Sequence, residues 1–414
     1  MKKLIILTTC VLVACTAAFA TDITWTQTVN NATWDIAGNW DPSQVPAAGD
    51  KAILNNGYGS ATYTLYLPFD GATCGELDLP DASSCAFRIN PWHPARDFTF
   101  DNGVANAKLT TGGDVLTLGN KGSTPYTNYL SSNLDIDIGA NLITVAVFAG
   151  DKDITFNSGY YFQIYNEWGN FTGKFIGNGG RIQMQTATAV PNGEFILQNG
   201  CRLCQANNLV ANQDLTLNGG WIFRYGSGNE NQGDIKVIGV SPSRVYYYAN
   251  PYTFSGDVSG TYRLFVGHAG TTLNVLGSIS PGTNSIGKLV ISDGTDSGID
   301  GTLNIGTGSD SVTVNIEING THSDLLAVTN SAALDLANVD LELFVTESSP
   351  YATNTIITCN NGLNNFSGMN IHWNDGRSGT VFQDGNDVKV TDNIPEPFTN
   401  GLLTLISVLV LRKK

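Results

Sequence analysis

Short runs with apolar side chains at every second position recur along the chain, and almost no segment between its two ends has the 3.6-residue period of a helix. Such alternation predicts β-strands with one face in a core and one in solvent. Most runs close with glycine or asparagine, which tolerate the positive φ angles of tight turns. The chain is therefore predicted to be all-β. The predicted strands lie in TYTLYL from Thr62, DVLTLGN from Asp114, LDIDIGAN from Leu134, DITFNSG from Asp153, EFILQNG from Glu194, DLTLNGG from Asp214, TTLNVLGS from Thr271, KLVISDG from Lys288, TLNIGTG from Thr302 and TVNIEING from Thr313.

The number of short strands fits either two or three β-sandwiches or one long solenoid. Three features favour the solenoid: the 46 glycines, the absence of a linker rich in proline or serine, and polar positions filled by Asn, Thr and Ser. In a parallel coil, equivalent residues stack about 4.8 Å apart, so neutral polar side chains are preferred to like charges. At roughly 20 to 25 residues per rung, residues 21–393 would form on the order of 15 to 18 rungs.

Four segments have a composition and order of their own. They are ITWTQTVNNATWDIAGNWDPSQVPAAGDKAILNNG from Ile23, TFSGDVSG from Thr253, GSISPGTNSIGKLVIS from Gly277 and INGTHSDLLAVTNSAALDLANVDLELFV from Ile318. In the first, Trp34 and Trp40 are expected to plug the open end of the coil, and Pro46 and Gly49 to turn the chain into the strand KAIL. The four segments resemble secreted repeat proteins of the autotransporter-passenger type. The resemblance implies one elongated right-handed parallel β-helix, a fold that serves as a scaffold with many uses.

Residues 1–20 have the form of a secretory signal peptide with a short apolar helix. Two lysines precede an apolar run, and Ala18 and Ala20 flank Phe19 in the small-x-small form of a signal peptidase site. The mature chain is expected to begin at Thr21. A second cut remains open, because the four residues ending at Cys15 have the form of a lipobox that would leave Cys15 lipidated. Either cut predicts export across the inner membrane.

The tail IPEPFTNGLLTLISVLVLRKK, residues 394–414, is predicted to be a second signal with a short helix. Its apolar run from Phe398 to Leu411 falls short of the about 20 residues that a spanning helix needs. The basic cluster after it would stay cytoplasmic and stop transfer through the membrane. That cluster consists of Arg412, Lys413 and Lys414.

The order of these features resembles the PEP-CTERM sorting signal of Gram-negative envelope proteins. Its tripeptide is Pro395, Glu396 and Pro397. The resemblance implies processing near the tripeptide by an exosortase, a membrane protein, followed by release or re-anchoring of the exported part. A simple C-terminal membrane anchor is the alternative interpretation.

The exported part is strongly acidic. Without the five basic residues at the two ends, 16 bases face 36 acids, a net charge near −20. This charge argues against nucleic acid or anionic lipid as a partner. The membrane is therefore expected to be a partner only through an uncleaved tail.

The mature chain would keep five cysteines, which are too few for a disulfide scaffold. Because five is an odd number, they cannot all pair within one chain. A bridge between Cys74 and Cys85 remains open. Cys201 and Cys204 have redox spacing, but their surroundings predict strand and turn, so we interpret them as ordinary thiols or a local bridge. The fifth is Cys359.

No residue pattern predicts catalysis, and no cofactor or metal is expected. A lyase or hydrolase of polysaccharides needs two carboxylates that converge within roughly 5 to 10 Å, whereas the acids are scattered here. Four aspartates could supply oxygen ligands to calcium, but turns also require Asp-Gly pairs, and turns are the favoured interpretation. These are Asp293, Asp296, Asp300 and Asp310. The histidines show no metal-binding spacing; they are His93, His268, His322 and His372.

A tyrosine patch in SRVYYYANPYTF is the best candidate contact surface. Strand alternation would place Tyr246 and Tyr248 on one face and Tyr247 on the other, so at least one ring should be exposed unless the coil is closed there. Exposed rings can stack on sugars, although packing in the core or in an aromatic ladder is favoured. Tyr252 completes the patch, and Trp92 is a second, weaker candidate.

Together these features predict an exported structural or adhesive protein of the cell surface or extracellular matrix, with a polysaccharide as one partner. A carbohydrate-binding surface protein is the alternative, and a polysaccharide lyase or hydrolase is less favoured. The predicted organisation is a signal peptide in residues 1–20, a β-solenoid in residues 21–393 and a sorting signal in residues 394–414.

Overall fold

The computed structural model confirms the all-β prediction for the residues that it describes. Two 3₁₀ turns, Ala37–Asn39 and Phe366–Gly368, interrupt the strands and turns of this part of the chain. No helix within it is long and apolar enough to cross a bilayer, and the two predicted terminal helices lie outside it. The described residues are 20–392 without 28–29, 55–61, 81–85, 92–95, 114, 120–124, 140, 145, 207–208, 225–228, 248–250, 268–271, 283–285, 294–301, 307–310, 320–321, 330–332, 347–352 and 375–378.

The strands, numbered β1 to β44 in chain order, form three faces of one coil. The first face is a 17-stranded sheet. Its strands are β1 (Asp22–Trp25), β3 (Trp40–Asp41), β4 (Lys51–Ile53), β7 (Glu76–Leu79), β10 (Ala107–Thr111), β13 (Leu134–Ile138), β16 (Ile154–Phe156), β18 (Lys174–Asn178), β20 (Glu194–Gln198), β23 (Leu215–Asn218), β26 (Ile235–Val237), β29 (Val258–Gly260), β32 (Ile279–Pro281), β35 (Val312–Asn319), β36 (His322–Ser323), β39 (Val339–Val345) and β42 (Asn370–Trp373).

The second face is a 16-stranded sheet. Its strands are β2 (Ala32–Thr33), β5 (Thr62–Leu67), β8 (Ala86–Pro91), β11 (Val115–Leu118), β14 (Leu142–Thr144), β17 (Tyr161–Ile164), β19 (Arg181–Met184), β21 (Arg202–Gln205), β24 (Trp221–Arg224), β27 (Ser243–Tyr247), β30 (Arg263–Gly267), β33 (Lys288–Asp293), β37 (Leu325–Thr329), β40 (Asn354–Cys359), β43 (Gly379–Asp384) and β44 (Asp387–Asp392).

The third face consists of three smaller sheets. The first contains β6 (Ala72–Cys74), β9 (Phe98–Phe100), β12 (Thr127–Leu130) and β15 (Val147–Ala149). The second contains β22 (Val210–Ala211), β25 (Asn229–Asn231), β28 (Tyr252–Phe254), β31 (Thr272–Val275) and β34 (Thr302–Ile305). The third contains β38 (Leu334–Asp335) and β41 (Leu363–Asn364).

Strand pairing distinguishes the solenoid from the sandwiches. In the first sheet, 15 strands pair in parallel, each with the strand one rung later, and only β3 and β36 are antiparallel additions within the described part. Such pairing between successive turns is that of a parallel β-solenoid. The 15 rungs lie at the lower end of the predicted number, because rungs near the ends exceed 25 residues. The hand of the coil stays a prediction.

The interior of the coil is filled by the inward side chains of all three faces. Its middle rungs are rich in aromatic residues, and the rings of Phe175 and Phe195 stack in successive rungs with centroids 5.0 Å apart and planes 9° apart. Trp168, on the third side of the coil, packs edge to face on Phe175 at 5.5 Å. All three side chains are buried. Continuous stacking of this kind favours one regular rung spacing over the middle of the molecule.

A tryptophan cluster closes the N-terminal end of the coil, as predicted. Trp34 and Trp40 are 1% and 2% exposed, and their rings meet edge to face with centroids 4.8 Å apart. The Trp40 indole N–H donates to the Trp34 carbonyl at 2.8 Å. Strand β3 pairs antiparallel with β1, so this edge of the first sheet is covered.

An antiparallel hairpin lies at the C-terminal end of the second sheet. Strands β43 and β44 pair with each other, and β44 pairs antiparallel with β40. The parallel pairing between successive rungs therefore ends at β40 in this sheet. Covered or interrupted edges protect a sheet from pairing with other chains.

Candidate functional site

The outer face of the second sheet carries a column of three basic and three aromatic side chains, from β17 to β30, in which Arg181 and Arg202 are direct neighbours. Because strands of successive rungs pair in register, residues at equivalent positions stand directly above one another. We call this column the arginine ladder. Its members in order along the coil are Tyr161, Arg181, Arg202, Trp221, Arg244 and Phe265.

The ladder is held together by cation–π contacts between neighbouring rungs. Trp221 lies between two guanidinium groups, with its ring centroid 4.6 Å from Cζ of Arg202 and 4.9 Å from Cζ of Arg244. Arg244 also lies 5.6 Å from the ring centroid of Phe265. At the other end, Arg181 lies 5.0 Å above the Tyr161 ring and donates a hydrogen bond to its hydroxyl. Such contacts are attractive at an exposed surface by about 0.5 to 1 kcal/mol each.

A second column, two residues further along each strand, lies beside the arginine ladder. It begins with amides, and the Gln163 side-chain nitrogen donates to the Gln183 side-chain oxygen at 3.0 Å. It ends with aromatic rings, because Phe223 and Tyr246 stack with centroids 5.4 Å apart and planes 11° apart. Cys204 stands between these two halves.

This face is basic although the chain as a whole carries a net charge of −15. Four of the nine arginines of the chain lie on this face, namely Arg181, Arg202, Arg244 and Arg263, and its six strands, from β17 to β30, contain neither Asp nor Glu. The positive charge acts on the pKa of the Cys204 thiol. Burial raises this pKa to about 11, and the charges of Arg181 and Arg202 lower it in part. The arrangement concentrates positive charge on one side of an acidic molecule.

The exposed atoms of the ladder are suited to binding anions. A guanidinium that stacks on a ring through its flat face keeps its N–H donors in its own plane, where they can form bidentate pairs with carboxylate or phosphate oxygens. Arg181, Arg202 and Arg244 are all half-buried, and Arg263 beside Phe265 is exposed. The glutamine amides of the second column can both donate and accept hydrogen bonds.

The structure divides the predicted tyrosine patch. Tyr246 belongs to the second column on the outer face, as strand alternation indicated. Tyr252 is wrong as a sugar contact, because its side chain is fully buried and its hydroxyl donates to the Gln205 side-chain oxygen at 3.3 Å. The Tyr247 side chain, Tyr248 and Trp92 lie outside the described residues, so their roles stay predictions.

Other predicted sites lie mostly outside the described part of the chain. The signal peptide before Ala20, the Pro395, Glu396 and Pro397 tripeptide and the basic cluster after it all do so. Of the aspartates considered for calcium, Asp293 ends β33 and the others fall in undescribed residues. His322 and His372 are exposed on strands of the first sheet. Within the described residues, no three His, Cys, Asp or Glu side chains are placed to hold a metal ion.

The described cysteines carry free thiols. Cys201 and Cys204 form no local bridge; Cys201 directly precedes β21 and Cys204 lies within it, so neither precedes a helix. Cys74 and Cys359 are buried, and Cys85 lies outside the described residues. Burial also raises the pKa of the Cys74 and Cys201 thiols, which disfavours their reactive thiolate forms.

Sequence reasoning missed the whole ladder, and of the second column beside it only Tyr246 was predicted. One signal was present, because Gly180-Arg181-Ile182, Cys201-Arg202-Leu203 and Gly220-Trp221-Ile222 repeat a small residue, a large planar side chain and an apolar residue. The repeat becomes visible only when the rungs are aligned by their pairing. No known protein family matches the chain, and no curated protein is significantly similar to it.

Proposed function

We propose that the chain is an exported structural or adhesive protein of the cell surface or extracellular matrix. The observation that carries this proposal is the single parallel coil of 15 rungs, with a tryptophan cluster over its N-terminal end and an antiparallel hairpin at the C-terminal end of its second sheet. A coil of this kind provides a long scaffold whose faces repeat the same positions many times. The signal peptide and the PEP-CTERM-like tail would deliver it, with an exosortase as the processing partner.

The intact mass of the protein recovered from the envelope or medium tests the delivery. We expect a chain that begins at Thr21 and lacks the peptide following Pro397. A matched control replaces Pro395 and Pro397 by alanine, which should leave the tail attached and the protein in the inner membrane. Recovery of wild-type protein that still carries the tail would contradict processing.

A second candidate function is carbohydrate binding. The observation that favours it is the half-buried Tyr246 ring, which stacks on the buried Phe223 ring in the same column as the glutamine amides. Aromatic faces pack on the apolar faces of sugars, and amides bond to hydroxyl groups. A glycan array with the wild type and with Tyr246→Ala tests this candidate. We expect binding that the substitution weakens; a wild type that binds no glycan would remove the candidate.

A further inference from the structure

We propose that the arginine ladder binds an anionic, carboxylate-bearing polysaccharide that lies along the axis of the coil. The proposal rests on the carbohydrate-binding candidate and adds the charge class of the ligand, its direction on the molecule and the residues that select it. The ladder, not the tyrosine patch, is its recognition element.

The first argument is the local charge. The six strands from β17 to β30 concentrate arginine and lack acidic residues, while the whole chain has a net charge of −15. Cation–π contacts alone would not require the absence of acidic residues from this face, because the arginines could contact the rings in their presence. A one-sided basic stripe is what attracts and orients an anionic polymer.

The second argument is the geometry of the donors. The Cζ atoms of Arg202 and Arg244 lie over the Trp221 ring, 4.6 and 4.9 Å from its centroid. Their side chains are thereby ordered before any ligand arrives, so less conformational entropy is lost on binding. The in-plane N–H groups of a stacked guanidinium suit the two oxygens of a carboxylate.

The third argument is the repeat. Ladder positions follow one another at the strand spacing of about 4.8 Å along the coil, so a polymer that lies along this face meets one arginine or aromatic side chain in each rung. The neighbouring amides of Gln163 and Gln183 follow the same repeat. They can form hydrogen bonds with hydroxyl groups of the polymer that lie between its carboxylates. A strand-parallel orientation would reach only one rung.

The fourth argument separates polysaccharide from nucleic acid. A nucleic acid duplex carries about one charge per 1.7 Å, and the net charge of −15 opposes so dense a polyanion. The basic stripe occupies one face of six rungs, while acidic residues prevail elsewhere. A polymer with sparser carboxylates matches a stripe whose arginines are interrupted by aromatic rings.

Equilibrium binding of the purified full-length protein to polygalacturonate tests the proposal. The same polymer with methyl-esterified carboxylates is the neutral control, and single-stranded DNA is the competing polyanion. We expect binding of the acidic polymer that weakens as salt rises and much weaker binding of the other two. Equal binding of the esterified polymer would overturn this proposal and leave carbohydrate binding intact, whereas tighter binding of DNA would overturn both.

The variant Arg202→Gln with Arg244→Gln assigns the binding to the ladder. We expect affinity for polygalacturonate to fall about tenfold or more, since charge-assisted hydrogen bonds are lost. The control pair Lys174→Gln and Lys236→Gln removes the same charge from the first sheet and should change affinity less than about twofold. If both double variants lowered the affinity equally, binding would depend on the net charge of the protein and not on the ladder, and the assignment would be overturned.

A second double substitution provides the test if the glutamine variant does not fold. Arg202→Lys with Arg244→Lys retains both charges but loses the planar donors. We expect it to bind polygalacturonate several-fold more weakly than the wild type, with circular dichroism unchanged. Wild-type affinity in this folded variant would contradict recognition by guanidinium geometry.

Discussion

Asp324 is a buried carboxylate at the junction of the last rungs, 5% exposed. Its two oxygens accept the backbone N–H groups of Gly287 at 2.7 Å and Glu317 at 2.9 Å, and so it ties the approach to β33 to strand β35. Burial raises the pKa of Asp324 to about 6; the two N–H donors lower it and the Glu317 charge raises it. The folded protein therefore binds this proton more tightly than the unfolded chain does.

The consequence is a pH dependence of a defined sign. Where the folded state holds more protons than the unfolded state, stability falls as pH rises. The contribution of Asp324 should thus decrease between about pH 4 and pH 6 and stay constant above, given an unfolded pKa of about 3.9. We expect the melting temperature of the wild type, relative to Asp324→Asn, to decrease across that interval. A difference that is constant or increases with pH would contradict the assignment.

At the scale of the element, one corner of the coil stacks carboxylates in successive rungs. The Asp214 carboxylate accepts the backbone N–H of Asp234 at 2.8 Å, and that of Asp234 accepts the N–H of Asp257 at 3.0 Å. The expectation that stacked positions avoid like charges is wrong at this corner. Each carboxylate accepts a backbone N–H from the next rung, so its negative charge has a hydrogen-bond partner.

The column continues at Ser278, whose backbone N–H donates to the Asp257 carboxylate at 2.9 Å. A glycine stands before each of Asp234, Asp257 and Ser278, and the reason is steric. A Cβ on Gly277 would lie 2.1 Å from the carbonyl oxygen of Gly256, and a Cβ on Gly256 would lie 2.2 Å from that of Gly233. Rungs pack so closely here that a side chain must push them apart. The glycine content that favoured a solenoid is thus explained in part by close approach between rungs.

Gly277→Ala is accordingly expected to destabilise the coil by about 1 to 3 kcal/mol, as overpacking does. Gly169→Ala is the matched control, because a Cβ there meets nothing within 4 Å, and it should be neutral or slightly stabilising through the unfolded chain. Chemical unfolding of both variants provides the measurement. Similar loss of stability in the two would show that backbone freedom, and not rung spacing, is what glycine supplies.

At the scale of the molecule, the period of the apolar residues predicted where the strands lie. It did not predict which residues of successive rungs pair with each other. All ten predicted runs contain strands, and the tryptophan plug formed by Trp34 and Trp40 is present. The arginine ladder escaped prediction because rung length varies within it: Tyr161 and Arg181 are 20 residues apart, whereas Trp221 and Arg244 are 23 residues apart. Without a fixed period, residues that share a column cannot be aligned by counting.

A stack of rungs that touch mainly their neighbours should lose stability locally when one end is damaged. Trp34→Ala removes a side chain that is 1% exposed and packs on Trp40 and Phe98, a loss of about 3 to 5 kcal/mol. We expect hydrogen exchange to accelerate in β1 to β9, while protection from β32 onward is unchanged. Phe69→Ala, at a side chain 81% exposed near the same end, should alter neither region.

The distribution of the lost protection decides between two descriptions of the molecule. If the rungs are coupled only in series, the damage stays near the plug and the arginine ladder, beginning at β17, keeps its geometry and its ligand affinity in Trp34→Ala. If the continuous aromatic core of the middle rungs couples the coil over its length, exchange should rise evenly and polymer binding should weaken with it. The plug variant thereby separates the stability of the end from the recognition surface in the middle.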